Sequence, residues 1–172
     1  MRNLFLLLAV LPLSACAVGA QADPAQIADR MLPGPITYEA RSWGSIIAHW
    51  HVNPDGSGEI WRVGWEGREP SEIRKFRFRL DHASMQSFIA AIEPMHDATR
   101  GGIRCEKDIY DLPYGSITWD YPGAKQTYSF DAGCRSRRGD AAMDQLTLAH
   151  KVIEERATIE SEPYSIEPAG AR

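Results

Sequence analysis

Residues 105–134 read CEKDIYDLPYGSITWDYPGAKQTYSFDAGC, and the fold is best inferred outward from this stretch. Two runs of alternating character, Ser116 to Tyr121 and Gln126 to Asp131, lie on either side of the segment 122–125. That segment begins with Pro-Gly, which favours a turn. Alternation on both sides of a turn predicts a β-hairpin.

Cys105 and Cys134 enclose this hairpin and are the only cysteines beyond the first twenty residues. A lone pair in an exported chain usually forms a disulfide, because the compartment is oxidising. The alternatives are two free buried thiols or a redox pair, although the Cys-x-x-Cys spacing of a redox motif is absent. We predict a structural disulfide that stabilises the fold by roughly 3–4 kcal/mol on a chain-entropy estimate.

The first fifteen residues are typical of an export signal. Arg2 precedes an almost wholly apolar run from Leu4 to Leu13. A bilayer span needs about 20 residues, so this run suits the core of a signal peptide instead. The next residues, Leu13-Ser14-Ala15-Cys16, resemble the lipobox of bacterial lipoproteins. That resemblance implies that Cys16 is lipidated and, because Ala17 and not Asp follows it, that the anchor lies in the outer membrane.

A second cleavage site competes with the lipobox. Ala20-Gln21-Ala22 is an A-x-A pattern, and cleavage there releases a soluble periplasmic protein that begins at Asp23. Both alternatives predict export. The lipobox follows the apolar core directly and also accounts for the third cysteine, so we favour it.

The length and net charge of the chain limit the number of domains and the kinds of partner. Removal of residues 1–15 leaves a chain that suits one domain and changes the formal net charge from −4 to −5, since Arg2 is the only charge removed. This acidic balance gives no overall attraction to nucleic acid. The predicted layout is a signal peptide (1–15), a lipidated tether (16–35), a single α+β domain (36–160) and a disordered tail (161–172).

Two segments predict strands before the hairpin. Residues 46–52 and 59–65 alternate on either side of a turn cluster, and we expect the inner face of this pair to carry Trp50, Val52, Trp61 and Val63. Residues 75–80 alternate more strictly than any other run. There we expect Phe76, Phe78 and Leu80 to be buried and Lys75, Arg77 and Arg79 to be exposed.

Two helices complete the pattern. Asp81 is a typical N-cap for a helix that should end or kink near Pro94, with a loop at 96–102. A second apolar stripe at helical spacing predicts a helix over 140–158. Strands, helix, hairpin and helix in this order predict an α+β fold, an antiparallel sheet with two helices packed on one face.

This order, with Cys105, Asp111-Leu112-Pro113, Ser116-Ile117-Thr118 and the segment FRLDHASMQSFIAAIE at 78–93, resembles a group of small exported bacterial domains of unknown function. The resemblance covers about residues 36–158. It implies the fold and the compartment, and it brings no activity.

Two groups of side chains are candidates for a functional site. His49 and His51 lie two residues apart on a predicted strand, so both rings project to one side, as two ligands of one zinc ion require. No third ligand shows matching spacing. Lys75, Arg77 and Arg79 form a basic ladder that suits an anionic polymer or lipid headgroup, or else a solvated face that charge protects from edge pairing. Surface acids such as Glu59 are able to neutralise it.

The sequence therefore favours a non-enzymatic, lipid-anchored protein of the cell envelope with a binding or accessory role and no cofactor. We expect its partner to be an envelope protein or a cell-wall component. The alternatives are a metal-dependent periplasmic hydrolase that uses His49 and His51, and an inhibitor of a cell-wall hydrolase.

Overall fold

The structure, a computed structural model, describes residues 31–169. Eight strands of this part of the chain form one antiparallel sheet, and two short strands form a second. The strands are β1 Ile36–Ser42, β2 Ser45–Val52, β3 Ser57–Glu66, β4 Glu69–Arg79, β5 Glu106–Lys107, β6 Tyr114–Tyr121, β7 Ala124–Asp131, β8 Cys134–Arg135, β9 Thr158–Ile159 and β10 Ser165–Pro168. The helices are α1 His82–Thr99 and α2 Arg137–Arg156.

The large sheet has the order β10-β4-β3-β2-β1-β6-β7, with β9 also paired to β4. Strands β5 and β8 form the small sheet. This is the predicted α+β class with an antiparallel sheet. Neighbouring strands in the centre are also neighbours in sequence, because two hairpins, β1–β2 and β3–β4, lie side by side.

Both helices pack on one face of the large sheet. Asp81 caps α1 by accepting a hydrogen bond from the Ser84 backbone N–H at 2.7 Å, as predicted. Helix α1 continues through Pro94 to Thr99, so the loop predicted at 96–102 is mostly helix. Helix α2 begins three residues before the predicted start, because Ser136 accepts a hydrogen bond from the Gly139 N–H.

The core lies between this sheet face and the helices. The sheet contributes buried side chains from β1, β2, β3, β4, β6 and β7, among them Ile36, Trp50, Val52, Ile60, Phe76, Phe78, Ile117, Trp119 and Phe130. The helices contribute Phe88, Ile92, Met95, Leu146, Ala149 and Ile153. The predicted burial of Phe76, Phe78 and Leu80 is confirmed.

The predicted inner face of the β2–β3 pair is wrong at Trp61 and Val63. Trp50 pairs with Ile60 across the two strands, and His49 pairs with Trp61. Directly opposed residues share a face, so Ile60 faces the core and Trp61 points the other way. Because β3 carries apolar residues in both phases, its alternation did not indicate which phase is buried.

The hairpin predicted between Cys105 and Cys134 is present as β6 and β7, which are joined by a tight turn at Pro122 and Gly123. Cys105 and Cys134 lie at disulfide distance, with their Cα atoms 5.4 Å apart. Cys134 belongs to β8, which pairs with β5 directly after Cys105. The cysteine pair therefore fastens the segment before the hairpin to the segment that follows it.

The prediction of a disordered tail from 161 to 172 is wrong for the part that the structure describes. Residues Ser165–Pro168 form strand β10, which pairs with β4 along the edge of the sheet. The Tyr164 N–H donates to the Lys75 carbonyl at 2.9 Å, and the Ala169 N–H donates to the Ser71 carbonyl at 3.1 Å. This segment covers an edge strand that would otherwise leave its backbone groups unpaired.

The end of the predicted tether, 16–35, also belongs to the fold. Leu32 is buried in the core, and the Asp120 N–H donates to the Pro35 carbonyl at 2.9 Å, so the chain passes close to β6 here. The predicted signal peptide, Cys16 and the alternative cleavage site at Ala22 lie outside the described residues. Among residues 31–169, neither helix is long and apolar enough to cross a bilayer.

Candidate ligand-binding face

The sheet face that points away from the helices, called here the open face, carries cross-strand rows of polar and aromatic side chains. One row runs from Glu39 on β1 through His49 and Trp61 to Lys75 on β4. The next row runs through Thr37, His51, Glu59 and Arg77. These rows exist because each strand places alternate residues on one face and the register aligns them.

The first row contains a stacked column of three side chains. The His49 ring lies 3.9 Å from the Trp61 ring between centroids, and the Lys75 ammonium lies 4.4 Å from the centroid of the same indole. Lys75 also donates to Glu167 of β10 at 2.6 Å. These contacts bury most of the Lys75 side chain, which is only 14% exposed.

His49 lies between two carboxylates. Its Nε2 is 3.6 Å from Glu59 and its Nδ1 is 3.9 Å from Glu39, both beyond a good hydrogen bond. Burial lowers the pKa of His49 below its ordinary value, although the nearby charges of Glu59 and Glu39 act in the opposite direction. Desolvation of the imidazolium outweighs the attraction of the two carboxylates.

His51 shares this face, as predicted, but its ring nitrogens are both engaged. Nδ1 lies 2.8 Å from the Thr37 hydroxyl, and Nε2 lies 3.0 Å from the Asn53 side-chain oxygen. Throughout residues 31–169, no group of three His, Cys, Asp or Glu side chains is arranged to hold a metal ion. The structure thus brings His49 and His51 together on one face without adding a third ligand in the described chain.

Tyr164 joins the second row from the segment between β9 and β10. Its hydroxyl donates to Glu59 at 2.5 Å, and the Arg77 guanidinium lies 4.6 Å from the centroid of its ring. Desolvation, followed by the hydrogen bond to Glu59, raises the pKa of Tyr164 to about 12. The phenol therefore stays protonated and keeps Glu59 occupied as an acceptor.

A cavity of about 550 Å³ opens beside this cluster. Its floor is formed by the end of β2, the start of β3 and the end of β4. One wall is the chain from Thr158 to Tyr164. Side chains that line it and offer polar groups are His51, Asn53, Ser57, Glu59, Arg77, Arg79, Thr158, Glu160 and Tyr164. A second hollow of about 270 Å³ lies on the same face beside Trp61 and Lys75.

The predicted basic ladder divides into two parts. Arg77 and Arg79 have side chains that are 64% exposed and both line the larger cavity, whereas Lys75 is mostly buried, contrary to the prediction. Arg77 lies 4.0 Å from Glu160, and Arg79 lies 3.9 Å from Asp55. The acids that face the ladder are thus Glu167, Glu160 and Asp55, while Glu59 is held by Tyr164.

Sequence reasoning missed Tyr164 and Glu160. Tyr164 lies in the predicted disordered tail, 161–172, and Glu160 is the last residue of the predicted domain, where no pattern indicated a site. The local signal there is weak: in Ser165-Ile166-Glu167-Pro168, polar Ser165 and Glu167 alternate with Ile166 and Pro168. Four residues with one apolar side chain are too short to indicate a strand by themselves.

Comparison with protein-family models, curated proteins and solved structures finds no significant match to this chain. The resemblance to small exported bacterial domains therefore stays a prediction.

Proposed function

We propose that this protein is a non-enzymatic, lipid-anchored component of the bacterial cell envelope, and that its open face binds a carboxylate or phosphate group of another envelope component. The observation that carries the proposal is the cavity of about 550 Å³ into which Arg77 and Arg79 project. Its volume falls within the range of about 300–1,000 Å³ typical of small-molecule sites.

The two arginines suit an anionic group in geometry and in availability. They lie two residues apart on one strand and face the same side, so their Cα atoms are roughly 7 Å apart. A guanidinium forms two parallel hydrogen bonds with a carboxylate or phosphate. Two guanidinium groups on neighbouring positions of one face can bind one multivalent anion or two neighbouring anions.

The existing partners of these arginines are weakly held. The carboxylates of Glu160 and Asp55, at 4.0 Å and 3.9 Å, are too distant for direct hydrogen bonds to Arg77 and Arg79. Arg79 also donates to the Asp55 backbone carbonyl at 3.3 Å, a long hydrogen bond between exposed groups. Exposed pairs of this kind contribute about 0–1 kcal/mol. An incoming anion can therefore displace these carboxylates at small cost.

The location of the protein is tested at Cys16. Cells that express the full chain should incorporate labelled fatty acid into it, and Cys16→Ser should abolish the label. Mass spectrometry of the processed protein should find Cys16 as its first residue. A processed chain that begins at Asp23 and carries no lipid would contradict the anchor.

Binding is tested by co-sedimentation of the exported protein, purified in detergent, with two probes. Purified peptidoglycan sacculi present carboxylates, and phosphatidylglycerol vesicles present phosphates. We expect one of the two to retain the protein, and Arg77→Gln/Arg79→Gln to weaken retention at least tenfold. The matched control is Arg62→Gln/Arg74→Gln, which removes the same charge from a cross-strand pair on the helix-facing side. Equal loss in both variants indicates net charge alone and rejects the open face as the site.

A further inference from the structure

The turn between β1 and β2 carries a tryptophan that folding does not explain. Trp43 and Gly44 form a two-residue turn, with φ angles of 51° and 84°. Turns with positive φ at both positions favour Asn-Gly, and the left-handed conformation is sterically unfavourable for most residues other than Gly. Yet Trp43 is 80% exposed, so its ring gains little from burial. A large aromatic side chain kept at a strained and exposed position indicates a functional role.

A second loop, which leads into β6, and the first residue of β6 place more aromatic rings beside this turn. Tyr110 is 75% exposed and Tyr114 is 40% exposed. The Gly44 N–H donates to the Tyr114 hydroxyl at 3.2 Å, and Arg41 donates to the Gly44 carbonyl at 2.9 Å. The two loops are therefore joined to each other, and the turn is held from both sides.

The second loop is fixed in place before any ligand arrives. The Asp108 N–H donates to the Gly133 carbonyl at 3.0 Å, and the Ala132 N–H donates to the Pro113 carbonyl at 2.8 Å. The Cys105–Cys134 pair fastens the base of the same loop. A site whose rings are already positioned loses less conformational entropy when it binds.

Between the two loops lies a cleft of about 270 Å³, which is lined by Ser42, Trp43, Gly44, Tyr110, Asp111, Leu112 and Tyr114. One carboxylate, Asp111, and no basic side chain from the described part of the chain line it. Two cations lie beside the cleft, and both are engaged. Arg41 donates to Glu39 and to the Gly44 carbonyl, whereas Lys107 donates to Asp131 and lies 5.3 Å from the centroid of the Tyr110 ring. An anionic ligand or lipid surface is disfavoured because it needs cations that are not already paired. The cleft suits a neutral ligand with apolar faces and hydroxyl donors.

We propose that this aromatic cleft, formed by Trp43, Tyr110, Asp111 and Tyr114, binds a neutral saccharide chain. A sugar ring presents a flat C–H face that packs against Trp and Tyr rings, whose polar edges remain free for hydrogen bonds. Its hydroxyls can donate to the Asp111 carboxylate. A stable protein partner covers about 800 Å² on each side, whereas the cleft offers a site the size of one ring.

This site is separate from the open-face cavity, and no residue lines both. Trp43 follows the last residue of β1, whereas Leu32 lies before its first residue, so the cleft and the point where the chain enters the domain are at opposite ends of that strand. Loss of either site therefore leaves the other testable.

The experiment is a titration of the full exported protein in detergent with two neutral probes, the β-1,4-linked tetramer of N-acetylglucosamine and maltotetraose. Calorimetry measures affinity. The chain has five tryptophans, so the fluorescence change is compared between the wild type and Trp43→Asn to isolate the response of Trp43. We expect at least one probe to bind, and Trp43→Asn to weaken that binding at least tenfold. Asn suits the positive φ of this turn, so this variant keeps the fold. Tyr110→Ala should weaken binding similarly.

Trp65→Ala is the matched control, because Trp65 is also an exposed tryptophan, at 54%, but does not line the cleft. It should leave affinity and the fluorescence change intact. Failure of both tetrasaccharides to bind overturns the proposal, as does equal binding by the Trp43→Asn and Trp65→Ala variants. Binding to phosphatidylcholine vesicles that Trp43→Asn abolishes, without saccharide binding, assigns the rings to a lipid surface and also overturns it.

Discussion

The imidazole of His49 stacks on the indole of Trp61, with 3.9 Å between ring centroids and 24° between the ring planes. This pair buries a histidine on the sheet face that points away from the main core. Glu39 and Glu59 flank the imidazole within 4.0 Å, yet burial still lowers its pKa. The open face thus holds a small buried cluster of its own, and the stability of this cluster depends on pH.

We predict that the unfolding free energy decreases as pH falls below 6.5, the ordinary pKa of histidine. Because the pKa of His49 is lower in the folded state, the unfolded chain binds more protons in the window between the folded value and 6.5. Stability is therefore complete above 6.5 and is lost through that window. Denaturant melts at a series of pH values measure this slope.

His49→Phe should make the pH slope shallower, since Phe keeps a ring against Trp61 and does not titrate. The slope that remains should come partly from His150, whose pKa burial also lowers, and His49→Phe/His150→Phe should reduce it further. Identical slopes in the wild type and in His49→Phe would show that His49 is accessible to protons when folded.

Reduction of the cysteine pair should destabilise the domain. Cys105 and Cys134 close a loop with a sequence separation of 29 residues, for which the chain-entropy estimate is roughly 3–4 kcal/mol. Cys105→Ser and the double variant Cys105→Ser/Cys134→Ser should lose similar stability in denaturant melts. Thiol labelling of the exported wild type under denaturing, non-reducing conditions should modify neither residue; quantitative labelling of either rejects the bond.

The two faces of β4 should respond differently to substitution. Phe78 is buried against the helices, so Phe78→Ala should cost about 3–5 kcal/mol. Arg77→Gln and Arg79→Gln remove exposed charges and should change stability by no more than about 0.5 kcal/mol each. Lys75→Gln should cost more than either, because its ammonium lies over Trp61 and pairs with Glu167. Urea melts give the order, and a reversed order of Phe78→Ala and Arg77→Gln would invert the assigned faces.

The segment after β9 should contribute to folding. Truncation after Glu160 removes β10 and exposes the edge of β4, so we expect a loss of about 1–3 kcal/mol. Hydrogen exchange should locate the effect at β4 and the Lys75 column, with α1 unaffected until global unfolding. Unchanged stability and exchange in the truncated chain would mean that the edge pairing adds nothing in solution.

Local patterns predicted the elements more reliably than the contacts between them. Residues 75–80 were assigned correctly, apart from the exposure of Lys75, because an inverted phase would bury three cations. The prediction put Trp61 on the wrong face because a tryptophan side chain can pack on either face of a sheet. Here His49 and Lys75 cover it on the open face. The alternation of β3 had no charge pattern strong enough to decide between the phases.

The candidate site was less predictable than the fold. Arg77, Arg79, His49 and His51 were identified from strand periodicity, but Tyr164 and Glu160 reach the site through pairing of β9 and β10 with β4, a long-range contact that leaves little local signal. Trp43 precedes the predicted strand 46–52, and no turn is predicted there from the sequence. The adjacent Gly44 was the available sign of a turn.

Two-dimensional NMR of the exported protein in detergent, titrated with inorganic phosphate, examines the open face itself. We predict that phosphate shifts the backbone amides of Arg77 and Arg79 and of the cavity wall around Tyr164, and that Arg77→Gln/Arg79→Gln abolishes these shifts while Arg62→Gln/Arg74→Gln preserves them. Shifts confined to the helix-facing side, or none at phosphate concentrations that saturate weak anion sites, would contradict the assignment of the cavity as the binding site.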